Sequence, residues 1–292
     1  TTTAAAVAGA ADEAIILSNS TAQTGGVTAT YNGLETINFA AAGATGAFTL
    51  ALVNNSLTLA STDLETVNVT GDSAANLTVN LAGAALETQT STFDASAAGG
   101  SITAHVTKGA SATAAVTMSA QGDHLDFNGA LANTITLDGG DGVDTLELDT
   151  ALAYSAAAAT AGTAQAGAGV SNFEALYLAA GNSVDERALT NNAGITSVIA
   201  LAGGSYTKST ALATVTQLST GAFTTTAATD GAADTLTMNV AGAGVTSTLS
   251  AANVETLTVG SAGSAANVVT MSAAGSADLT SVTAVGTKGL TL

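Results

Sequence analysis

The chain has 292 residues, with 22 acidic side chains against four basic ones and a formal net charge of −18. Lys108, Arg187, Lys208 and Lys288 are too few and too scattered to displace the counterions of a nucleic acid or an anionic bilayer, which excludes both as partners. Charged residues make up only 9% of the chain, so it is not a solvated acidic tail, and without Cys or Pro it has neither disulfide staples nor fixed kinks in its strands.

The apolar fraction is 47%, yet aromatics supply only 3%. A core of Ala, Val, Leu and Ile is thin and suits a narrow solenoid, in which each turn packs only on its neighbours. No apolar run is long enough to span a bilayer, and no signal peptide is recognisable. The chain opens at Thr1 without Met and closes at Thr291-Leu292 inside a strand-like pattern, so it reads as a fragment of a longer protein.

In chain order, Asp12 precedes the apolar run Ile15-Ile16-Leu17. Alternating runs follow at Glu35-Thr36-Ile37-Asn38-Phe39, Glu65-Thr66-Val67-Asn68-Val69, Leu77-Thr78-Val79-Asn80-Leu81, Thr134-Ile135-Thr136-Leu137 and Glu255-Thr256-Leu257-Thr258-Val259. Each is β-branched on alternate positions and bounded by Gly, Asn, Asp or Ser, which predicts strands with one buried face. Ser183 and Glu186 have the spacing of a capping box, which allows a short helix up to Leu189.

A two-part repeat runs through these elements. An Asp opens one alternating run (Asp12, Asp144, Asp234), and an apolar-Glu-Thr phrase opens the next (Leu34-Glu35-Thr36, Phe173-Glu174-Ala175, Val254-Glu255-Thr256), at gaps of 23, 30 and 21 residues. Further copies of the phrase stand at Leu64-Glu65-Thr66 and Leu86-Glu87-Thr88. Periods of about 20 to 30 residues predict stacked supersecondary units. The Glu residues fit strand edges, where charge blocks edge-to-edge aggregation.

Seven acidic residues crowd between 123 and 149: Asp123, Asp126, Asp138, Asp141, Asp144, Glu147 and Asp149. Among them lies Gly139-Gly140-Asp141-Gly142-Val143-Asp144-Thr145-Leu146, the Gly-Gly-x-Gly-x-Asp-x-apolar pattern of calcium-binding parallel β-rolls. Ca²⁺ takes six to eight hard oxygens at about 2.3–2.6 Å from carboxylates and carbonyls together. Glycines bend the turn tightly, Asp brings charge, and the apolar residue two positions later begins a strand. Two nonapeptides make a turn of about 18 residues. Asp126 lies 18 residues before Asp144, so Asp126 or Asp123 is expected to complete a site with Asp144, Asp141, Asp138 and the backbone of Gly139 and Gly142. An Asp-Gly turn without metal is the plainer alternative. Asp230-Gly231 with Asp234, and Gly9 with Asp12, look like degenerate copies.

The stretch from Gly139 through Leu178 resembles the RTX-type surface-layer proteins of Gram-negative bacteria, such as that of Caulobacter. The Val-Glu-Thr and Phe93-Asp94-Ala95-Ser96 phrases carry the likeness loosely along the chain. The resemblance implies type I secretion, an extracellular or cell-surface location, Ca²⁺-dependent folding and lattice assembly, and it puts ligand roles on Asp144 and on the backbone of Gly139, Asp141 and Gly142. Only one good nonapeptide is present, where such proteins often string several.

The expectation is therefore an all-β, elongated parallel β-solenoid or β-roll, with stacked β-sandwich domains as the alternative. It would be one continuous rod: a solenoid part over 1–121, RTX-like calcium turns over 122–149 and a second solenoid part over 150–292. Its expected partners are other copies of itself and cell-surface lipopolysaccharide or glycans, and no enzyme activity is expected. His105 and His124 form no nucleophile arrangement with a Ser, and Ca²⁺ prefers oxygen to imidazole. The rival readings are an RTX adhesin module that binds glycans and, more remotely, a β-helix polysaccharide lyase or epimerase. The first calls for aromatic platforms and the second for a basic groove, and the composition favours neither.

Overall fold

A computed structural model of the chain describes residues 14–19, 36–41, 48–50, 66–71, 77–80, 91–107, 114–179, 181–192, 194–211 and 214–292, with side chains from residue 92 onward. The Asp12 turn, Glu35, Glu65 and the Leu86-Glu87-Thr88 phrase lie outside the described residues. Among the described residues almost every element is a β-strand, as the alternating runs predict, and the strands pair in parallel. The fold is an all-β parallel solenoid. It divides into two compact units: 1–129 with 134–146 and 169–173, and 130–133 with 147–168 and 174–292.

In the first unit one sheet stacks Ala14–Asn19, Thr36–Ala41, Thr66–Gly71, Ser91–Ala98, Ala114–Thr117, Thr136–Asp138 and Val170–Ser171. A second sheet stacks Phe48–Leu50, Leu77–Asn80, Ile102–Thr107 and His124–Asn128. The chain visits the two sheets in turn, so one circuit contributes one rung to each. Ala115 sits beside Thr136 and Thr103 beside His124, both 21 residues on, whereas Thr36 sits beside Thr66, 30 residues on. The unequal repeat gaps are therefore unequal turns around a constant rung.

Period-two alternation builds the core. Phe93, Val116, Leu137 and Val170 are paired rung to rung and buried, and Ala104 with Leu125 and Val106 with Phe127 continue the pattern on the other sheet. Burying a Val, Leu or Phe side chain contributes about 1.5–3 kcal/mol. A core one side chain deep depends on every rung supplying its share.

The second unit repeats the plan. One sheet stacks Ala175–Leu178, Ser197–Ala200, Thr214–Gln217, Thr235–Val240, Thr256–Ser261 and Ser281–Gly286. The other stacks Ser183–Asp185, Gly204–Ser209, Gly221–Ala227, Thr246–Ala252, Asn267–Met271 and Leu290–Thr291. Leu176, Val198, Val215, Met238 and Val259 form one buried column. The outward positions carry Thr and Ser instead: Thr237, Thr258 and Thr283 are in register, as are Thr235, Thr256 and Ser281. From Ser197–Ala200 to Ser281–Gly286 this outward face bears no charged residue, and Asp234 and Glu255 stand just before the strands.

Two elements depart from expectation. The Ala-rich segment after the glycine turn holds a short helix, Ala156–Ala161, capped by the Ser155 hydroxyl and ended by Gly162 in the left-handed region at φ 67°. At Ser183 to Leu189 the capping-box spacing does not make a helix from Ser183. Ser183–Asp185 is a strand, and a single 3₁₀ turn, Glu186–Ala188, is capped by Asp185, whose carboxylate accepts from the Arg187 amide. Glu186 is drawn into the interior by hydrogen bonds across the solenoid and is not available to cap the turn.

Candidate functional site

The glycine turn links Thr136–Asp138 to Thr145–Leu148, and Leu146, two residues after Asp144, is fully buried. Tight stacking explains the glycines here. Gly140 has φ 89°, and a Cβ on it would come within 2.0 Å of the Ser119 carbonyl oxygen in the preceding circuit. That contact leaves no room for a side chain.

The carboxylates of this region have distinct tasks. Asp144 is 0% exposed and its Oδ1 accepts the Asp123 amide at 2.7 Å. Asp123, 4% exposed, accepts the Ile102 amide at 2.6 Å, the Ser119 amide at 2.7 Å and the Ser119 hydroxyl at 3.0 and 2.9 Å. Both side chains therefore reach one circuit back, across 21 residues, and cap a backbone N–H that would otherwise be buried unsatisfied. Burial raises the Asp123 carboxyl above its ordinary range, against the lowering effect of the Ile102 and Ser119 donors.

Asp138 accepts the Gly140 amide at 3.1 Å and the Asn172 side-chain amide at 2.7 Å, tying the glycine turn to the next rung. Asp141 is exposed. Asp126 takes a separate position: Leu125 and Phe127 point inward, and Asp126 instead accepts or shares a proton with His105 Nδ1 at 2.8 Å on the neighbouring rung. The circuit here is 21 residues, not 18, so the residue placed beneath Asp144 is Asp123 and not Asp126. The structure thus sets Asp138 and Asp141 beside the glycines on one turn, bonds Asp144 to the Asp123 amide, and places Asp126 within the strand His124–Asn128.

The hard oxygens suit calcium by type, but they differ in availability. Three donor groups already converge on Asp123, which suits a residue that shapes the turn. Asp141 and Asp138 flank the glycines at the solvent side.

Asp234 and Glu255 repeat the staple in the second unit. Glu255 Oε2 accepts the Asp234 amide at 2.6 Å, again across 21 residues, and Asp234 Oδ2 accepts the Gly231 amide at 2.8 Å. The Asp-to-Glu gap in the sequence is thus one circuit of the solenoid.

A second polar group was not signalled by the sequence. Glu186, 9% exposed, accepts from the Tyr206 hydroxyl at 2.6 Å, the Thr210 hydroxyl at 2.5 Å and the Thr210 amide at 3.1 Å. Burial, then the neighbouring Glu186 carboxylate, raises the Tyr206 phenol far above its usual range, so it stays protonated and donates. Its nearest sequence signal was the Ser183–Glu186 spacing, which pointed to a helix cap.

Comparison with known protein families, curated proteins and solved structures returned no match, so the case for function rests on this chain's own residues.

Proposed function

We propose that this chain is a structural part of a secreted, self-assembling cell-surface protein of surface-layer type, whose acidic turns are ordered by calcium. The observation that carries the reading is the placement of charge. Apart from Asp94, Asp126 and Glu147 within strands, the acidic side chains among the described residues stand in turns or at strand ends, whereas a run of strands in the second unit presents in-register Thr and Ser without a charge. A −18 chain repels its copies except where charge is absent or neutralised. Uncharged sheet faces allow close approach, and a divalent ion at the turns removes the remaining repulsion.

At the glycine turn, Asp141 and Asp138 with main-chain oxygens of residues 139–142 would hold the ion, while Asp123 and Asp144 keep the turn in shape from behind. Calcium would supply charge neutralisation there. The reading is tested by negative-stain electron microscopy of the same sample in calcium and in EGTA. Ordered assemblies in calcium that disperse in EGTA are expected. Dispersed particles under both conditions would sink the assembly reading.

A further inference from the structure

The outward face of Thr235–Val240, Thr256–Ser261 and Ser281–Gly286 is a two-dimensional array. Thr235, Thr256 and Ser281 form one column across the rungs, and Thr237, Thr258 and Thr283 form the next, two residues along each strand. Thr214 and Ser197 extend the second column, because Val215 pairs with Met238 and Ser197 with Thr214. No register shift interrupts these pairings, whereas the other sheet of the unit has one between Tyr206 and Ser209.

Two further observations bear on what the array meets. The six hydroxyls on the three strands make no hydrogen bond to any described residue. Elsewhere in the unit threonines turn theirs inward: Thr196 and Thr280 donate to the carbonyls of Glu174 and Glu255, and Thr210 donates to the Glu186 carboxylate. The array is also free of charge on a chain at −18, although in the first unit the outward positions of Ile102–Thr107 and His124–Asn128 hold His105, His124 and Asp126.

Thr is stiff at χ1, so each hydroxyl and methyl stays where the backbone puts it. Stacked parallel strands repeat about every 4.8 Å, and outward residues two apart on a strand are about 6.6 Å from one another. Both lengths lie within about a tenth of the two oxygen repeats on a prism face of hexagonal ice. Contacts to single waters are weak, so a water lattice is held only where many fit at once and no side chain has still to be ordered. A charge on the face would hold its own hydration shell out of step with that lattice.

We propose that this Thr/Ser face binds ice: the hydroxyls take lattice positions as donors and acceptors, and the methyls seat between them. It uses none of the acidic turns and stands whether or not they bind calcium. The other sheet of the unit is also uncharged from Gly221–Ala227 to Asn267–Met271, but Ala222 and Val268 interrupt its Thr columns, so it offers a surface to a copy and none to ice.

The intact chain is exposed to a slowly growing ice front, and the fraction carried into the ice is measured beside Thr237→Tyr, Thr258→Tyr and Thr248→Tyr. The shape of single ice crystals grown in the same solutions is the second readout. The parent chain should be drawn into the ice and should facet the crystals. Thr237→Tyr and Thr258→Tyr raise a ring above the columns, and each should fall to the level of solute merely trapped between crystals. Thr248→Tyr, on the other sheet, should match the parent chain. Circular dichroism checks each fold, and either array variant carries the test should the other unfold. The proposal is overturned if the parent chain stays in the liquid, if both array variants enter ice as well as it does, or if Thr248→Tyr removes binding as fully as they do. A parent chain that stays in the liquid while Thr258→Tyr abolishes calcium-dependent assembly assigns the face to a copy instead. Ice binding by a chain that never assembles supports the proposal and removes only the assembly reading.

Discussion

The first unit caps the amides that open its rungs with buried carboxylates, whereas the second unit does much of the same work with buried amides. Around Asp123 three donors from Ile102 and Ser119 converge on an anion. Around Asn267 a neutral side chain accepts the Val245 amide at 2.8 Å and donates to Val240 O, Ala262 O and Ser261 Oγ. Gln217 does likewise, donating to Ser219 O and Gly221 O and accepting from Ser247 Oγ at 2.6 Å. The geometry served is the same, a rung entering a stack, but only the carboxylate carries a desolvation cost that depends on pH and on nearby ions. The acidic turns are thus the part of the molecule that a change of medium can address.

The largest expected effect breaks the carboxylate staple. Asp123→Ala leaves two buried amides and a hydroxyl without their acceptor, and should cost about 3 kcal/mol in urea unfolding. A cost below about 1 kcal/mol would mean that water replaces the staple freely. Asn267→Ala should cost about 2 kcal/mol, since the groups it leaves are neutral.

The two variants should then separate by pH. The folded-state pKa of Asp123 is raised above the ordinary 3.8, so the folded chain binds that proton more tightly than the unfolded one. Its contribution is fullest below about 3.8 and declines as pH rises through the raised folded value. The penalty of Asp123→Ala should therefore be larger near pH 4 than at pH 7, whereas that of Asn267→Ala stays level. Equal pH dependence in both would break the contrast.

The smallest effect concerns an exposed pair in the second unit. Asp185 is pushed up by partial burial, but the Arg187 side-chain and backbone hydrogen bonds outweigh this and hold it below its ordinary range. Arg187 binds it through Nε at 3.0 Å and a terminal nitrogen at 2.6 Å, and also lies 4.2 Å from the Tyr154 ring centre. Arg187→Lys loses the fork and should move the Asp185 midpoint upward in a carboxyl NMR titration, with little change in melting temperature.

The strands were legible because alternation at Thr134-Ile135-Thr136-Leu137 or Glu255-Thr256-Leu257-Thr258-Val259 states which side chains face inward, and a thin core offers no competing pattern. The Asp-to-Glu phrase was also legible as a repeat, and its 21-residue gap from Asp234 to Glu255 proves to be one circuit. The circuit length at the glycine turn was misjudged because the nonapeptide rule assumes minimal turns, whereas the segments joining the rungs here are longer. Glu186 was hidden for another reason. Its partners Tyr206 and Thr210 lie 20 and 24 residues on, on either side of a bulge at Lys208 that no local pattern announces. Asn267 and Gln217 were invisible as core residues, since polar side chains in alternating strands are placed outward by default. The helix Ala156–Ala161 was missed although Ala favours helix and Ser155 and Gly162 cap it, because none of its residues is buried and no apolar periodicity marks it.

The measurement that tests the account most directly is a calcium titration of the intact chain, followed at once by far-UV circular dichroism and light scattering, with EGTA reversal and magnesium as control. The account predicts that calcium, and not magnesium, brings on association that EGTA reverses, and that Asp141→Asn shifts its midpoint to higher calcium. A chain that is fully folded and monomeric in EGTA and does not respond to calcium would contradict it, and would leave a passive solenoid stalk.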